Sequence, residues 1–221
     1  MVVLGLTGSI GMGKSAAVAA LRRLGVPVHD ADAAVHELLG RGGAAVSAVA
    51  RAFPGVVAGG KVDRAALGRR VFGDAAALSR LEAILHPLVQ RSEQRFLRAV
   101  AARRRPVAVL DIPLLFETGG DRRCDAVIVV SAPRFVQEAR VLRRPGMTRE
   151  RLQAVWARQM PDAEKRRRAD YVVPTGLDKR FALRRLAGIV TRTMARRLGG
   201  RGGRGRPRSR IGWRGHARSR R

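Results

Sequence analysis

The residues Gly8-Ser9-Ile10-Gly11-Met12-Gly13-Lys14-Ser15 fit the pattern G-x-x-x-x-G-K-[ST] of a loop that cradles phosphate groups. A polyphosphate needs many donors at once, and only backbone N–H groups pack that densely. Gly8, Gly11 and Gly13 are expected to take positive φ and bring the chain close to the phosphate oxygens without a Cβ in the way. The N–H groups of Gly11, Met12, Gly13, Lys14, Ser15 and Ala16 would form an anion-binding nest, with the positive end of the following helix behind it. Lys14 would reach the β and γ oxygens as a point charge, and the Ser15 hydroxyl would hold Mg²⁺. The bland alternative is a glycine-rich turn that binds nothing.

Other residue types along the chain could act with this loop. Asp30-Ala31-Asp32 follows a short apolar run, so one face of that turn can present a carboxylate; both acids could equally be N-caps of a helix from Ala33. Asp111 closes an apolar run, a position suited either to an acid near Mg²⁺ or to a structural hydrogen bond with the glycine loop. His86 precedes Pro87 and reads by default as a helix-kink residue. Arg140, Arg143 and Arg144 surround a helix end, where a guanidinium could stabilise a transferring phosphoryl group or simply face solvent.

These residues need elements to position them. Val2 to Leu6 reads as a buried strand, and Ala16 to Leu24 as a helix stopped by Gly25 and Pro27. Further strands are expected at 26–30, 107–112, 126–130 and 170–173, the later ones as unalternating apolar runs. Strands alternating with helices after a phosphate loop argue for an α/β fold with a parallel five-stranded sheet. The stretch 31–105 reads as all helical and is too long for one crossover, so an inserted helical subdomain over the C-terminal edge of the sheet is expected. Within it, Asp63 and Asp74 are helix caps, and His86-Pro87 breaks or restarts the helix begun at Ala75. Helices are also expected from Pro133 to Leu142, from Arg149 to Gln159 behind a Thr148 cap, and from Leu177 to Arg197.

Composition sets the outer bounds. The chain has 221 residues with 46% hydrophobic content, enough for a real core. A single cysteine, Cys124, forbids an internal disulfide and reads as a buried structural thiol in a reducing, cytoplasmic setting. Neither a signal peptide nor a membrane span is expected. The net charge is +28, and the stretch from Ala195 to Arg221 holds eleven arginines and no acid. That basic character suits nucleic acid and anionic nucleotides alike. Residues 199–221 are low in apolar content and are expected to form a disordered Arg/Gly-rich tail, with at most weak nucleic-acid binding.

Taken in order, the glycine loop, Asp30-Ala31-Asp32, Leu85-His86-Pro87-Leu88, Asp111-Ile112-Pro113-Leu114-Leu115-Phe116-Glu117 and Gln137-Glu138-Ala139-Arg140 resemble the dephospho-CoA kinase family over residues 1 to about 195. The resemblance implies a P-loop three-layer sandwich: core 1–30, 105–135 and 165–198, a helical acceptor-binding subdomain 31–104, and a lid 136–164. It implies transfer of the γ-phosphoryl of ATP to the ribose 3′-hydroxyl of dephospho-CoA, with Mg²⁺. By resemblance, Asp32 matches the general base, placed also to position Mg²⁺ through water, and Arg140 the phosphate-contacting arginine of a closing lid. Arg64 and His86 become candidate acceptor contacts, and Glu117 an acceptor-side or structural acid. Ala16 departs from the second hydroxyl residue that many P-loop kinases carry; a small effect is expected, since this position gives mainly its N–H. The rival readings are another small-molecule P-loop kinase, acting on a nucleoside or shikimate, and a basic nucleic-acid-binding protein with a vestigial loop. With two tryptophans and one tyrosine, the chain offers few stacking platforms for the latter.

Overall fold

The computed structural model describes residues 1–198; the expectation for the 199–221 tail lies outside them. Seven strands and nine α-helices are described. β1 (Val2–Thr7) leads into α1 (Lys14–Arg23), then β2 (Val28–Asp30) and α2 (Ala31–Leu39). There follow α3 (Val46–Ala52), β3 (Val57–Ala58), β4 (Lys61–Val62), α4 (Arg64–Val71) and the long α5 (Ala75–Ala102). β5 (Val107–Asp111) and β6 (Ala126–Ser131) come next. The described residues close with α6 (Arg134–Leu142), α7 (Arg149–Arg158), α8 (Asp162–Arg168), β7 (Tyr171–Pro174) and α9 (Lys179–Leu198).

The five-stranded sheet runs in the order β2-β5-β1-β6-β7, with every pairing parallel. Both faces are covered, which is why its central strands read as continuous apolar runs. Val109 and Ile128 point into a core with Val18 and Leu21 of α1 and Leu186 and Ile189 of α9. Their neighbours Leu110, Val127 and Val129 point the other way, against Phe96 and Leu97 of α5. These are three layers, as expected.

The segment between β2 and β5 has a core of its own, built from Leu38, Val49, Phe53, Val62, Leu67 and Leu81. It is not all helical. β3 and β4 form an antiparallel hairpin, with Gly59 and Gly60 at φ 57° and 75° between them. That conformation is a two-residue turn that glycine pairs favour. The expected break at His86-Pro87 is also absent, because α5 runs unbroken through Pro87 for 28 residues. An interior proline costs about 3 kcal/mol, and here it is offset by packing of α5 along α2, α3 and α4. Cys124 is half-buried with its thiol pushed up to about 12 by burial, then by Glu93, which fits a structural rather than nucleophilic role.

α5 meets β2 through His29, which is 8% exposed, bonds Ser92 Oγ through Nε2 at 3.2 Å and lies with its ring 5.4 Å from that of Phe96. Burial holds its pKa below 6.5, against the opposing pull of Asp30 and Glu37. The unfolded chain therefore binds the proton more readily. Stability from this site is complete above pH 6.5 and is lost as pH falls through the lower folded value. Denaturant unfolding measured from pH 8 down to pH 5 should show that loss, and His29→Leu should flatten it.

Candidate active site

The phosphate loop sits at the C-terminal end of the sheet. β1 delivers it between β5 and β6, with Leu6 in register with Asp111 and Asp111 with Asp30. Gly11 and Gly13 take φ values of 76° and 84°, the left-handed region expected of them. Gly8 does not, and its requirement is space. A Cβ there would lie 2.5 Å from Val130 Cγ2 and 2.8 Å from the Val130 carbonyl on β6. Gly11 is constrained both ways, since a Cβ would lie 2.6 Å from Val141 Cγ2 and 2.9 Å from the Gln137 carbonyl. Gly11→Ala should therefore lower the melting temperature and weaken ATP binding. Gly25→Ala, also at positive φ but with nothing within 4 Å of the added Cβ, should cost about 1 kcal/mol and leave ATP binding alone. Differential scanning fluorimetry and calorimetric titration check the pair.

Lys14 and Ser15 begin α1. Ser15 and Ala16 are exposed on its first turn. The Met12 side chain turns inward, 2% exposed, and its Sδ accepts from the Ala132 N–H at 3.0 Å. The Met12 N–H, expected to join the nest, instead donates to the Ser9 carbonyl at 3.1 Å and closes the turn of the loop. Lys14 Nζ donates to Asp111 Oδ1 at 2.8 Å. Asp111 is 3% exposed. Burial pushes its carboxyl up, the Lys14 ammonium opposes that, and the Asp30 and Asp32 carboxylates add to the rise. Of the two roles open to Asp111, the bond to the loop is the one present.

The two aspartates after β2 have different jobs. Asp30 is the N-cap of α2, accepting from the Ala33 N–H at 3.0 Å. The helix starts at Ala31, so Asp32 is no second cap. It stands in the first turn, exposed, and no described residue bonds its carboxylate. It is close enough to Asp111 to influence its charge. One sheet edge thus gathers Lys14, Asp111 and a free carboxylate.

Arg140 lies on α6 against the loop. Its Nη2 donates to the Thr175 carbonyl at 2.7 Å, and its Nη1 reaches the Gly11 carbonyl and the Thr175 hydroxyl at 3.4 Å each. Thr175 donates in turn to the Met12 carbonyl at 2.7 Å. Arg140 is therefore moored to the loop. Arg64 hydrogen-bonds His36 on α2. His86 is exposed on α5 and has no hydrogen-bonding partner among the described residues. Glu117 accepts from the Met160 N–H at 2.9 Å and pairs with the buried Lys165 at 2.8 Å, which gives it a structural role. Thr175 and His36 had no signal in the sequence beyond position: Thr175 follows the C-terminal end of a parallel strand, where ligands gather.

The same residues carry a family signature. The dephospho-CoA kinase family model matches residues 2–177.

The chain belongs to the dephospho-CoA kinase family.

A dephospho-CoA kinase of Paramagnetospirillum magneticum is 69% identical over 166 residues, 75% of this chain and 78% of that protein. One of Rhodospirillum rubrum is 62% identical over 190 residues, 86% and 90% of the two chains. Among solved structures, TT1252 from Thermus thermophilus superposes with a TM-score of 0.77 at 38% identity, covering 86% of this chain and 96% of that one. As a member of the dephospho-CoA kinase family, the chain is a nucleotide-using phosphotransferase that phosphorylates dephospho-CoA.

Proposed function

We propose that the chain transfers the γ-phosphoryl of ATP to the ribose 3′-hydroxyl of dephospho-CoA, with the loop from Gly8 to Ser15 holding the triphosphate. One observation carries this reading: the free Asp32 carboxylate stands at the same sheet edge as Lys14. Phosphoryl transfer is governed by positioning and by charge stabilisation more than by covalent chemistry. The amides of Gly11 and of Gly13 to Ala16 orient the phosphates. Lys14, held ready by Asp111, moves its ammonium to the β and γ oxygens. Asp32 accepts the proton of the 3′-hydroxyl as that oxygen attacks the γ-phosphorus and the bond to the β,γ-bridging oxygen breaks, releasing ADP. Arg140 has five N–H donors, and those not spent on Gly11 and Thr175 face the charge that spreads over the phosphoryl oxygens.

The residues present fit Mg²⁺ arriving with the nucleotide. No cluster of three or more His, Cys, Asp or Glu able to hold a metal exists among the described residues. Mg²⁺ is usually bound by one or two protein oxygens plus phosphates and water. The exposed Ser15 hydroxyl and the Asp32 carboxylate, through water, are such oxygens. When bound, Mg²⁺ neutralises phosphate charge.

In this reading, residues 31–104 form the acceptor subdomain, with Arg64 and His86 available to the acceptor, and 136–164 form the lid. Arg158 of α7 already lies over the Phe72 ring at 5.8 Å, bridging those two parts. A cytoplasmic setting accords with the inert thiol of Cys124. No helix among the described residues is long and apolar enough to cross a membrane. A coupled ADP-release assay over a panel of acceptors tests the substrate. Dephospho-CoA should be turned over well above adenosine, AMP and shikimate, and equal rates would remove the assigned acceptor.

A further inference from the structure

Ile10 lies inside the phosphate loop and is held from both sides. Its N–H donates to Gln159 Oε1 at 3.1 Å, and its carbonyl accepts from Gln137 Nε2 at 2.8 Å. The orientation of both amides is fixed by their partners, since an N–H only donates and a carbonyl only accepts. Gln137 is 5% exposed on α6. Gln159 closes α7, at the other end of the lid segment. The turn that follows Gln159 is fastened to the body. Met160 donates to Glu117, Lys165 pairs with Glu117, and Asp162 accepts from Ser131 Oγ at 2.8 Å. Between the two glutamines, Arg140 also bonds the Gly11 and Thr175 carbonyls, and Arg158 lies over the Phe72 ring.

We propose that Gln137 and Gln159 clamp the phosphate loop from the two ends of the lid segment, and that both act on the bound phosphates through one shared element, the Ile10 residue of the loop. They are positioning residues. Gly11 and Gly13 give the loop its tight curve but also the freedom to leave it. The amide between Ile10 and Gly11 opens the nest, so its orientation decides whether the Gly11 N–H points at a phosphate. The Gln137 bond to the Ile10 carbonyl fixes that amide, and the Gln159 bond to the Ile10 N–H fixes the Ser9–Ile10 amide before it, so together they tie the opening of the nest to the two ends of the lid segment. This inference rests on the reading that the loop holds the nucleotide's phosphates.

The opposite polarity of the two bonds gives a sharp test. Gln159→Glu keeps an acceptor for the Ile10 N–H. Gln137→Glu removes the donor and sets lone pairs against the Ile10 carbonyl. Both add the same charge beside the same loop, so simple repulsion of ATP is common to the two. Gln159→Glu should hold kcat/KM for ATP within about threefold of wild type, whereas Gln137→Glu should lose about a hundredfold, the scale of a 1 Å misplacement. KM for dephospho-CoA should stay unchanged in both. Gln137→Leu and Gln159→Leu provide a second route should Gln137→Glu fold poorly. Acting on one residue, they should be strongly non-additive, the double variant being little worse than Gln137→Leu alone. Equal losses in the two Glu variants, or additive losses in the Leu cycle, would overturn the proposal. If wild-type protein left dephospho-CoA untouched, the acceptor reading would fail instead, and the same variants would still be compared by calorimetric ATP affinity.

Discussion

Lys14→Ala is expected to lower turnover by about a thousandfold or more, the range seen when a preorganised charge aimed at a transferring group is lost, while the protein still folds. Lys14 has two roles, and the variant removes both. The first is stabilisation of charge on the β and γ oxygens. The second is partnership with Asp111, whose carboxylate is 3% exposed and 2.8 Å away. Removing one member of a buried pair leaves the other charge stranded, which costs up to about 3 kcal/mol. Asp111 has an escape, because burial and the neighbouring Asp30 and Asp32 already push its carboxyl up, so it takes a proton. Lys14→Ala should therefore lose some stability, and the loss should shrink as pH falls toward the ordinary carboxylate range. Adding Asp111→Asn should recover that stability and recover none of the turnover. Thermal unfolding and the ADP-release rate, measured on both variants, separate the two roles. Turnover that returned with the second substitution would show that Lys14 serves the fold alone.

Asp32→Asn is expected to bind ATP as the wild type does and to lose kcat by about a hundredfold to a thousandfold, within the range for a missing general base. Asparagine keeps the shape and the helical position but cannot accept the proton of the attacking hydroxyl. The neighbour is the control. Asp30 spends its carboxylate on the α2 cap, so Asp30→Ala should cost about 1 kcal/mol of stability. Asp30→Ser, which keeps a capping oxygen, should hold kcat within a few-fold. Stopped-flow or steady-state kinetics, set beside calorimetric ATP affinity, reads the contrast. An unchanged kcat in Asp32→Asn would remove the base from the mechanism.

Much of this site was legible in the sequence because its parts are local. The glycine loop, the strand before it and the helix after it are consecutive, and their periodicities state their roles. The five parallel strands were readable because burial on both faces imposes unbroken apolar runs such as Ala126 to Val130. What stayed hidden depends on partners far along the chain. Whether Gly8 needs positive φ or merely space is decided by Val130. That Asp111 meets Lys14 follows from the register of β5 against β1. The mooring of Arg140 depends on Thr175, which follows the last strand. The helix through Pro87 survived a strong local breaker because tertiary packing outweighed it, and the hairpin around Gly59-Gly60 was too short to show a strand pattern. By residue type alone Asp30 and Asp32 read alike; the family resemblance singled out Asp32, and the start of α2 at Ala31 separates cap from free carboxylate.

The central claim is that a carboxylate beside a phosphate loop directs one phosphoryl group to one sugar hydroxyl. It is tested most directly by supplying ATP labelled at the γ-phosphate, with dephospho-CoA and Mg²⁺, and locating the label in the product. The expected result is one label per ADP formed, carried on the 3′-oxygen of the ribose as coenzyme A. Label released as inorganic phosphate, or found on any other oxygen of the acceptor, would contradict it.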